Sequence, residues 1–168
     1  RSLSEEIASD FLTSNNDILL GGGAASFTNR KDQRNLLIDL SQKGYTVSET
    51  NNSIDTIHST KYVVIDNTSA ISMKQGRGDF LVKSLQRSIA SCSQGDTPFF
   101  IMVEGAQIDD GGHDNAMEFV VRELLDFDQA VGEAMKFVDN NRETLLIVTA
   151  DHETGGLTLL GGDISKGY

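Results

Sequence analysis

Cysteine and proline are nearly absent, with one of each in 168 residues. Cys92 alone forms no disulfide within the chain, which excludes both a disulfide framework and a cysteine-rich zinc site. A single proline beside 16 glycines excludes a proline-rich linker and points to tight turns. Positive charge is scarce: 14 Lys and Arg stand against 25 Asp and Glu, a formal charge of −11, and the basic residues form no dense run. Phosphate-backbone binding needs such a run, so nucleic acid is not an expected partner, and anionic membranes are disfavoured on the same ground. Long apolar stretches are missing as well. The longest, Phe99 to Val103, falls far short of the roughly 18 residues of a transmembrane helix, so membrane insertion is not expected. The N-terminus has neither the n-region nor the h-region of a signal peptide. What is present, 38% hydrophobic and 23% charged residues, is one domain's worth of chain with enough apolar material to bury a core.

Short apolar runs alternate with amphipathic stretches. Asp17-Ile-Leu-Leu20 reads as a strand emptying into Gly21-Gly-Gly23. From Asn35 to Lys43, Leu36, Leu37 and Leu40 fall at i, i+1 and i+4 ahead of Gly44, the pattern of a helix with a glycine C-cap. Tyr45-Thr-Val47 and Tyr62-Val-Val-Ile65 are β-rich, and Asp79 to Ser91 returns to helical spacing through Phe80, Leu81, Leu85 and Ile89. Phe99 to Val103 and Leu145 to Val148 are apolar on both faces, as strands buried in a helix-covered sheet are. Between them, Phe119 to Val138 repeats Leu124, Phe127, Val131, Ala134 and Phe137 or Val138 every three to four residues, which predicts a helix. The order β-α-β-irregular-β-α-β-α-β predicts an α/β fold in three layers, a mainly parallel sheet with helices on both faces. There is no internal repeat and no low-complexity segment. A linker at residues 21–34 or 48–60 would leave pieces too small to fold, so residues 1–168 are expected to form a single α/β unit. Gly161-Gly162 follow the last apolar run with no closing helix, and the expectation is a piece of a larger protein.

In an open α/β sheet, ligands bind beyond the carboxyl ends of the strands. After Phe99 to Val103 comes Glu104-Gly-Ala-Gln-Ile-Asp109-Asp110-Gly-Gly-His113, and after the run at 145–149 comes Ala150-Asp151-His152-Glu153. Two of the three histidines therefore stand in the expected loops, each beside a carboxylate. Imidazole and carboxylate are the ligands of hydrolytic zinc, at about 2.0–2.2 Å, and carboxylate oxygen also suits magnesium. Gly105, Gly111 and Gly112 would let the first loop turn sharply enough to aim Asp109 and His113 at one point. Either pair alone reads equally well as a helix cap with a polar neighbour. Two pairs behind two apolar runs favour a metal site.

Three motifs carry a resemblance. Val103-Glu-Gly-Ala-Gln-Ile-Asp109-Asp-Gly-Gly-His113-Asp-Asn, Leu125-Asp-Phe-Asp-Gln-Ala-Val131 and Leu146-Ile-Val-Thr-Ala-Asp151-His-Glu-Thr-Gly-Gly156 closely resemble the alkaline phosphatases, most strongly over residues 98–158. Upstream, Ile18-Leu-Leu-Gly-Gly-Gly23 and Asn35 to Val47 are similar to that family's stretch before these motifs. The resemblance implies hydrolysis of phosphate monoesters through a phosphoserine intermediate, with two zinc ions and one magnesium ion. It also implies export to the periplasm or outside the cell, and a homodimer in the parent protein. Carried over by position, it makes Glu104 a magnesium ligand. Asp109 and His113 would hold the first zinc, which activates the water that cleaves the phosphoserine and neutralises the leaving oxygen. Asp151 and His152 would hold the second, which lowers the pKa of the attacking serine. Such a two-metal clamp stabilises both apical oxygens of an in-line displacement. Asp110 departs from the pattern: many relatives carry Lys, His or Trp there, near the substrate phosphate, and a negative charge would weaken phosphate binding unless it turns to a cation or to solvent. The family's nucleophilic serine, its phosphate-clamping arginine and the aspartate linking the second zinc to magnesium lie upstream of the stretch that matches residue 1. A third ligand to the first zinc, a histidine, lies beyond the stretch that matches residue 168. The resemblance therefore implies an internal segment of a catalytic domain, inactive alone.

Other features carry less. Asp66-Asn-Thr-Ser69-Ala70 looks like an Asp-Ser-Ala nucleophile motif, but it comes too late in the chain and has Thr where Asp should precede Ser69. His58 reads as a polar loop histidine. Gly21-Gly-Gly23 has Ser26 in place of the third glycine of a dinucleotide fingerprint, and no Gly-Lys-Ser/Thr exists for a P-loop. Glu118, Glu123, Asp126 and Asp128 are expected on a solvated helix face with one buried partner. Two alternatives share the Asp-His pairs: a related phosphomutase, sulfatase or phosphodiesterase, and a non-catalytic metal-binding module. The nucleophile, Ser against Thr or a formylglycine-type Cys or none, separates them.

Overall fold

The computed structural model describes residues 3–65 and 72–158. Ser69 with its pseudo-motif and Gly161-Gly162 lie outside the described residues. Strand β1 (Ile18–Gly21), β2 (Thr46–Ser48) and β3 (Tyr62–Ile65) form a parallel sheet in the order β1-β3-β2, with Ile18 and Thr46 both opposite Tyr62. All four residues of β3 are buried, and their alternation explains the layering, because successive side chains of a strand point to opposite faces. Val63 and Ile65 join a core with Ala8 and Phe11 of α1 (Ser4–Phe11), Phe27 of α2 (Ala25–Thr28) and Leu36, Leu37 and Leu40 of α3 (Leu36–Gln42). Tyr62 and Val64 join the opposite core, with Ile54 of the 3-10 turn Asn51–Asp55, Ile57, and Phe80 of α4 (Phe80–Cys92). Helices thus cover both faces of an α/β sheet. Helix α3 begins as its sequence dictates, the Asn35 side chain accepting from the N–H groups of Leu37 and Ile38, and Gly44 follows it at φ +89°. Leu36 and Leu40 are wholly buried, so the expected period of apolar residues is the period of the core.

Two further helices form the rest: α5 (Gln107–His113) and α6 (Met117–Asn140), with α6 packed on both α4 and α5. The apolar period misleads on α6. Glu123 and Asp126 are each only 2% exposed and are buried with Ala130, whereas Leu124 and Leu125 stand more than half exposed. The reason is a long-range ion pair. Arg77 Nη2, ahead of α4, donates to Asp126 Oδ2 at 2.8 Å and to Glu123 Oε2, while Glu123 Oε1 accepts the Met73 N–H at 2.6 Å. A buried charge is tolerated when paired and hydrogen-bonded. The expected solvated acidic face is therefore corrected: two of its four carboxylates are buried, and only Glu118, paired with Arg122 at 2.7 Å, and Asp128 are exposed.

The two runs expected as buried strands, Phe99 to Val103 and Leu145 to Val148, pair with no strand among the described residues. Phe100 is 89% and Leu145 82% exposed. Ile101 and Val103 are half-buried while Phe100 and Met102 are exposed, the alternation of an extended chain covered on one side. At the start of the run, the Phe99 ring lies 6.2 Å from the Phe137 ring of α6. A strand needs a hydrogen-bonding neighbour as well as apolar side chains, and among the described residues none pairs with these runs. No helix of the described residues is long and apolar enough to cross a membrane.

Candidate metal centre

Asp109 and His113 sit on α5 rather than on a loop. Their i, i+4 spacing puts them on one helix face, with Asp109 Oδ2 3.3 Å from His113 Nε2. The role expected of the glycines changes accordingly. Gly111 and Gly112 lie inside the helix, and what they permit is close approach. A Cβ at Gly111 would sit 3.0 Å from the Val120 backbone nitrogen of α6, and one at Gly112 would sit 2.8 Å from the Thr154 carbonyl oxygen. Gly105, just after Glu104, is likewise wedged against Phe127 of α6, 3.1 Å from a Cβ placed there. On the other side of the contact, Gly155 adopts φ +78°, and its Cβ would lie 2.2 Å from the Gly112 carbonyl oxygen. Thr154 and Gly155 therefore rest on Gly112 of α5 backbone against backbone.

That contact joins the two Asp-His pairs. Thr154 Oγ1 donates to Asp109 Oδ1 at 2.5 Å and lies 3.1 Å from His152 Nδ1. His152 Nε2 stands 3.3 Å from Asp151 Oδ2, and its Nδ1 is 3.0 Å from the Glu153 carbonyl oxygen. The hydrogen bond to that carbonyl, then the charge of Asp151, and further the charges of Asp109 and Glu153, hold the His152 imidazole above its ordinary pKa, against a smaller opposing effect of burial. Glu153 caps its own loop, accepting the Gly156 N–H at 2.9 Å. Thr154 is the residue that sequence reasoning passed over. It stood inside the Asp-His-Glu-Thr-Gly-Gly motif, but a hydroxyl has no metal-ligand signature.

The donor sets suit zinc. A tetrahedral zinc with ligands at about 2.0–2.1 Å has ligand-to-ligand edges of about 3.3 Å, and both carboxylate-to-imidazole separations are 3.3 Å. All four of these side chains reach solvent, Asp151 most of all at 88%. Each pair brings two donors, and no three His, Cys, Asp or Glu side chains among the described residues gather to hold one ion. Glu104, exposed, completes neither pair, and Asp110 stands half-buried beside Asp109 on α5.

A helical Asp-x-x-x-His, a second Asp-His and the close approach of Gly112 and Gly155 bring two carboxylate and imidazole pairs together on an α/β scaffold. The sequence model of the alkaline phosphatase family matches residues 2–166, and the chain belongs to that family. Alkaline phosphatase 4 of Bacillus subtilis is 37% identical over 147 residues, covering 85% of this chain and 31% of the relative. Among solved structures, the alkaline phosphatase of the Antarctic bacterium TAB5 superposes with a TM-score of 0.89 at 38% identity, over 99% of this chain and 50% of that one. A variant of the TAB5 enzyme with Mg bound in its M3 site superposes with a TM-score of 0.84 at 39% identity, over 92% of this chain and 46% of that one. The chain thus spans about a third of that curated relative and about half of those solved chains.

Proposed function

We propose that this chain supplies part of the zinc and magnesium centre of a phosphate-monoester hydrolase acting through a phosphoserine. The observation that carries the reading is the Thr154 hydroxyl standing between two Asp-His pairs whose donor atoms are each 3.3 Å apart. Asp109 and His113 would hold one zinc, Asp151 and His152 the other, and Glu104 the magnesium. Bound there, the metals supply Lewis-acid stabilisation of the attacking and leaving oxygens of an in-line displacement. A catalytic zinc takes three protein ligands and each pair offers two among the described residues, so on this reading further ligands complete the centre, and the family's pattern supplies the nucleophilic serine and the phosphate-binding arginine from outside this chain. The exposed apolar runs around Phe100 and Leu145 agree with a fragment whose sheet continues elsewhere in a larger catalytic domain. Export to the periplasm or beyond the cell, and dimerisation of the parent protein, follow from the family alone. The isolated chain binds zinc weakly and turns over no phosphate monoester, because covalent phosphoryl transfer needs an activated nucleophile and a positive clamp on the equatorial oxygens. Asp110, one residue from Asp109, adds a negative charge where a dianion would bind.

Zinc titration by calorimetry tests the assignment, with His113→Ala plus His152→Ala as the comparison. Binding by the double variant equal to wild type would show the ligands to be wrong. A chromogenic phosphate ester with zinc and magnesium at mildly alkaline pH tests the second half. Turnover that is lost in Ser69→Ala would overturn the fragment reading.

A further inference from the structure

We propose that Thr154 is a positioning residue that locks one oxygen of Asp109 and selects the ring nitrogen His152 offers to a metal, a proposal that rests on the metal-centre reading above. A threonine hydroxyl has one hydrogen. At 2.5 Å from Asp109 Oδ1, a carboxylate that only accepts, that hydrogen is committed to Asp109, in the short geometry of a charge-assisted O–H to carboxylate bond. Toward His152 Nδ1, at 3.1 Å, the hydroxyl then presents only lone pairs. The Glu153 carbonyl, 3.0 Å from the same nitrogen, likewise only accepts. Nε2 also faces an acceptor, Asp151 Oδ2 at 3.3 Å, but a metal that Asp151 and His152 share would occupy that side, and the proton of the neutral ligating ring then belongs on Nδ1, between its two acceptors. The lone pair is left on Nε2.

The same hydroxyl acts on the other pair. With Oδ1 of Asp109 held by Thr154, Oδ2 is the oxygen left facing His113 Nε2. One side chain therefore determines the presented donor in each pair, as hydrogen bonds from outside the ligand set orient metal ligands generally. The backbone contact of Gly112 with Gly155 holds it there, and the Thr154 Cγ2 methyl lies 3.0 Å from where a Gly112 Cβ would be. Hydroxyl and methyl are thus separable. Thr154→Val keeps the shape and removes the hydrogen bonds, while Thr154→Ser keeps the hydroxyl and removes the methyl.

Zinc titrations of wild type, Thr154→Ser and Thr154→Val, with urea unfolding of each and imidazole 15N spectra of the zinc-loaded wild type, test the proposal. Expected are wild-type affinity within about threefold for Thr154→Ser, a loss of about 10- to 100-fold for Thr154→Val, equal unfolding midpoints, and zinc on His152 Nε2 with Nδ1 protonated. Thr154→Val binding within threefold of wild type, Thr154→Ser falling as far as Thr154→Val, or zinc on Nδ1 would each overturn the proposal while leaving the metal centre intact. Absence of zinc binding by the wild type would overturn the metal-centre reading, and the proposal with it.

Discussion

One methyl group added at Gly155 should pull the second Asp-His pair off the first. In Gly155→Ala the new Cβ falls 2.2 Å from the Gly112 carbonyl oxygen and 3.0 Å from its carbon, about 1 Å and about 0.5 Å inside normal non-bonded contacts. The opposing atoms are backbone within α5, so no side chain can swing aside. Overpacking of this kind costs about 1–3 kcal/mol, and φ +78° adds about 1 kcal/mol for a residue with a Cβ. Gly156 is the control. It has φ +68° and open space around its would-be Cβ, so Gly156→Ala incurs only the backbone cost. The difference of about 1–3 kcal/mol is roughly 5- to 150-fold in the ratio of docked to undocked loop. The Gly112 oxygen also accepts the Asn115 N–H at 3.0 Å, which provides a reporter. Amide hydrogen exchange should show Asn115 losing protection in Gly155→Ala and retaining it in Gly156→Ala. Equal protection in the two variants would refute the close-approach argument.

Arg77→Ala leaves Glu123 and Asp126 buried without their cation and should cost about 3–5 kcal/mol in urea denaturation; a loss below about 1 kcal/mol would mean that the pair is dispensable. Leu40→Ala empties a fully buried position and should cost about 2–5 kcal/mol, measured the same way, with less than about 1 kcal/mol contradicting the core assignment. Arg30 hydrogen-bonds Asp32 and, with the Arg34 N–H, holds its carboxyl down at about 2 from 3.8. A depressed carboxyl contributes stability above its ordinary value and loses it as pH falls through about 2, so a carboxyl titration by NMR should place the Asp32 midpoint there, and a midpoint near 3.8 would remove the pairing.

Where an element is buried by its own local pattern, the sequence is enough. The apolar period of Leu36, Leu37 and Leu40 between Asn35 and Gly44 describes a helix that caps itself and faces a core, and four consecutive buried residues at β3 serve two cores by alternation. Where burial depends on a distant partner, it is not. Glu123 and Asp126 enter the interior because Arg77, 46 and 49 residues away, neutralises them, and no window on α6 contains that fact. Phe99 to Val103 and Leu145 to Val148 have the composition of central strands, but pairing belongs to the neighbour as much as to the run. The site divides along the same line. Asp109, His113, Asp151 and His152 stand out in the sequence by type, as two Asp-His pairs. Their setting does not: Gly111 and Gly112 read as turn residues on intrinsic propensity, yet they continue a helix because α6 and Thr154 require their missing side chains.

Helix α6 connects these observations. Its Val120 nitrogen meets Gly111, its Phe127 meets Gly105, its Glu123 and Asp126 hold Arg77, and its Phe137 lies beside Phe99. Toward the sheet, α6 packs on α4, whose Phe80 reaches the core of Tyr62 and Val64. The candidate centre therefore leans on α6 through α5, and α6 in turn on α4. A structure of this kind tolerates change on the exposed Leu124 face of α6 and not on the Glu123 face, although hydrophobicity alone would rank them the other way. Leu124→Ser should leave zinc binding within about twofold, since Leu124 is 51% exposed and surface substitutions cost about 0.5 kcal/mol or less, whereas Glu123→Ala should loosen the helix against which α5 rests. Equal losses of zinc affinity from the two would mean that α6 does not carry the site.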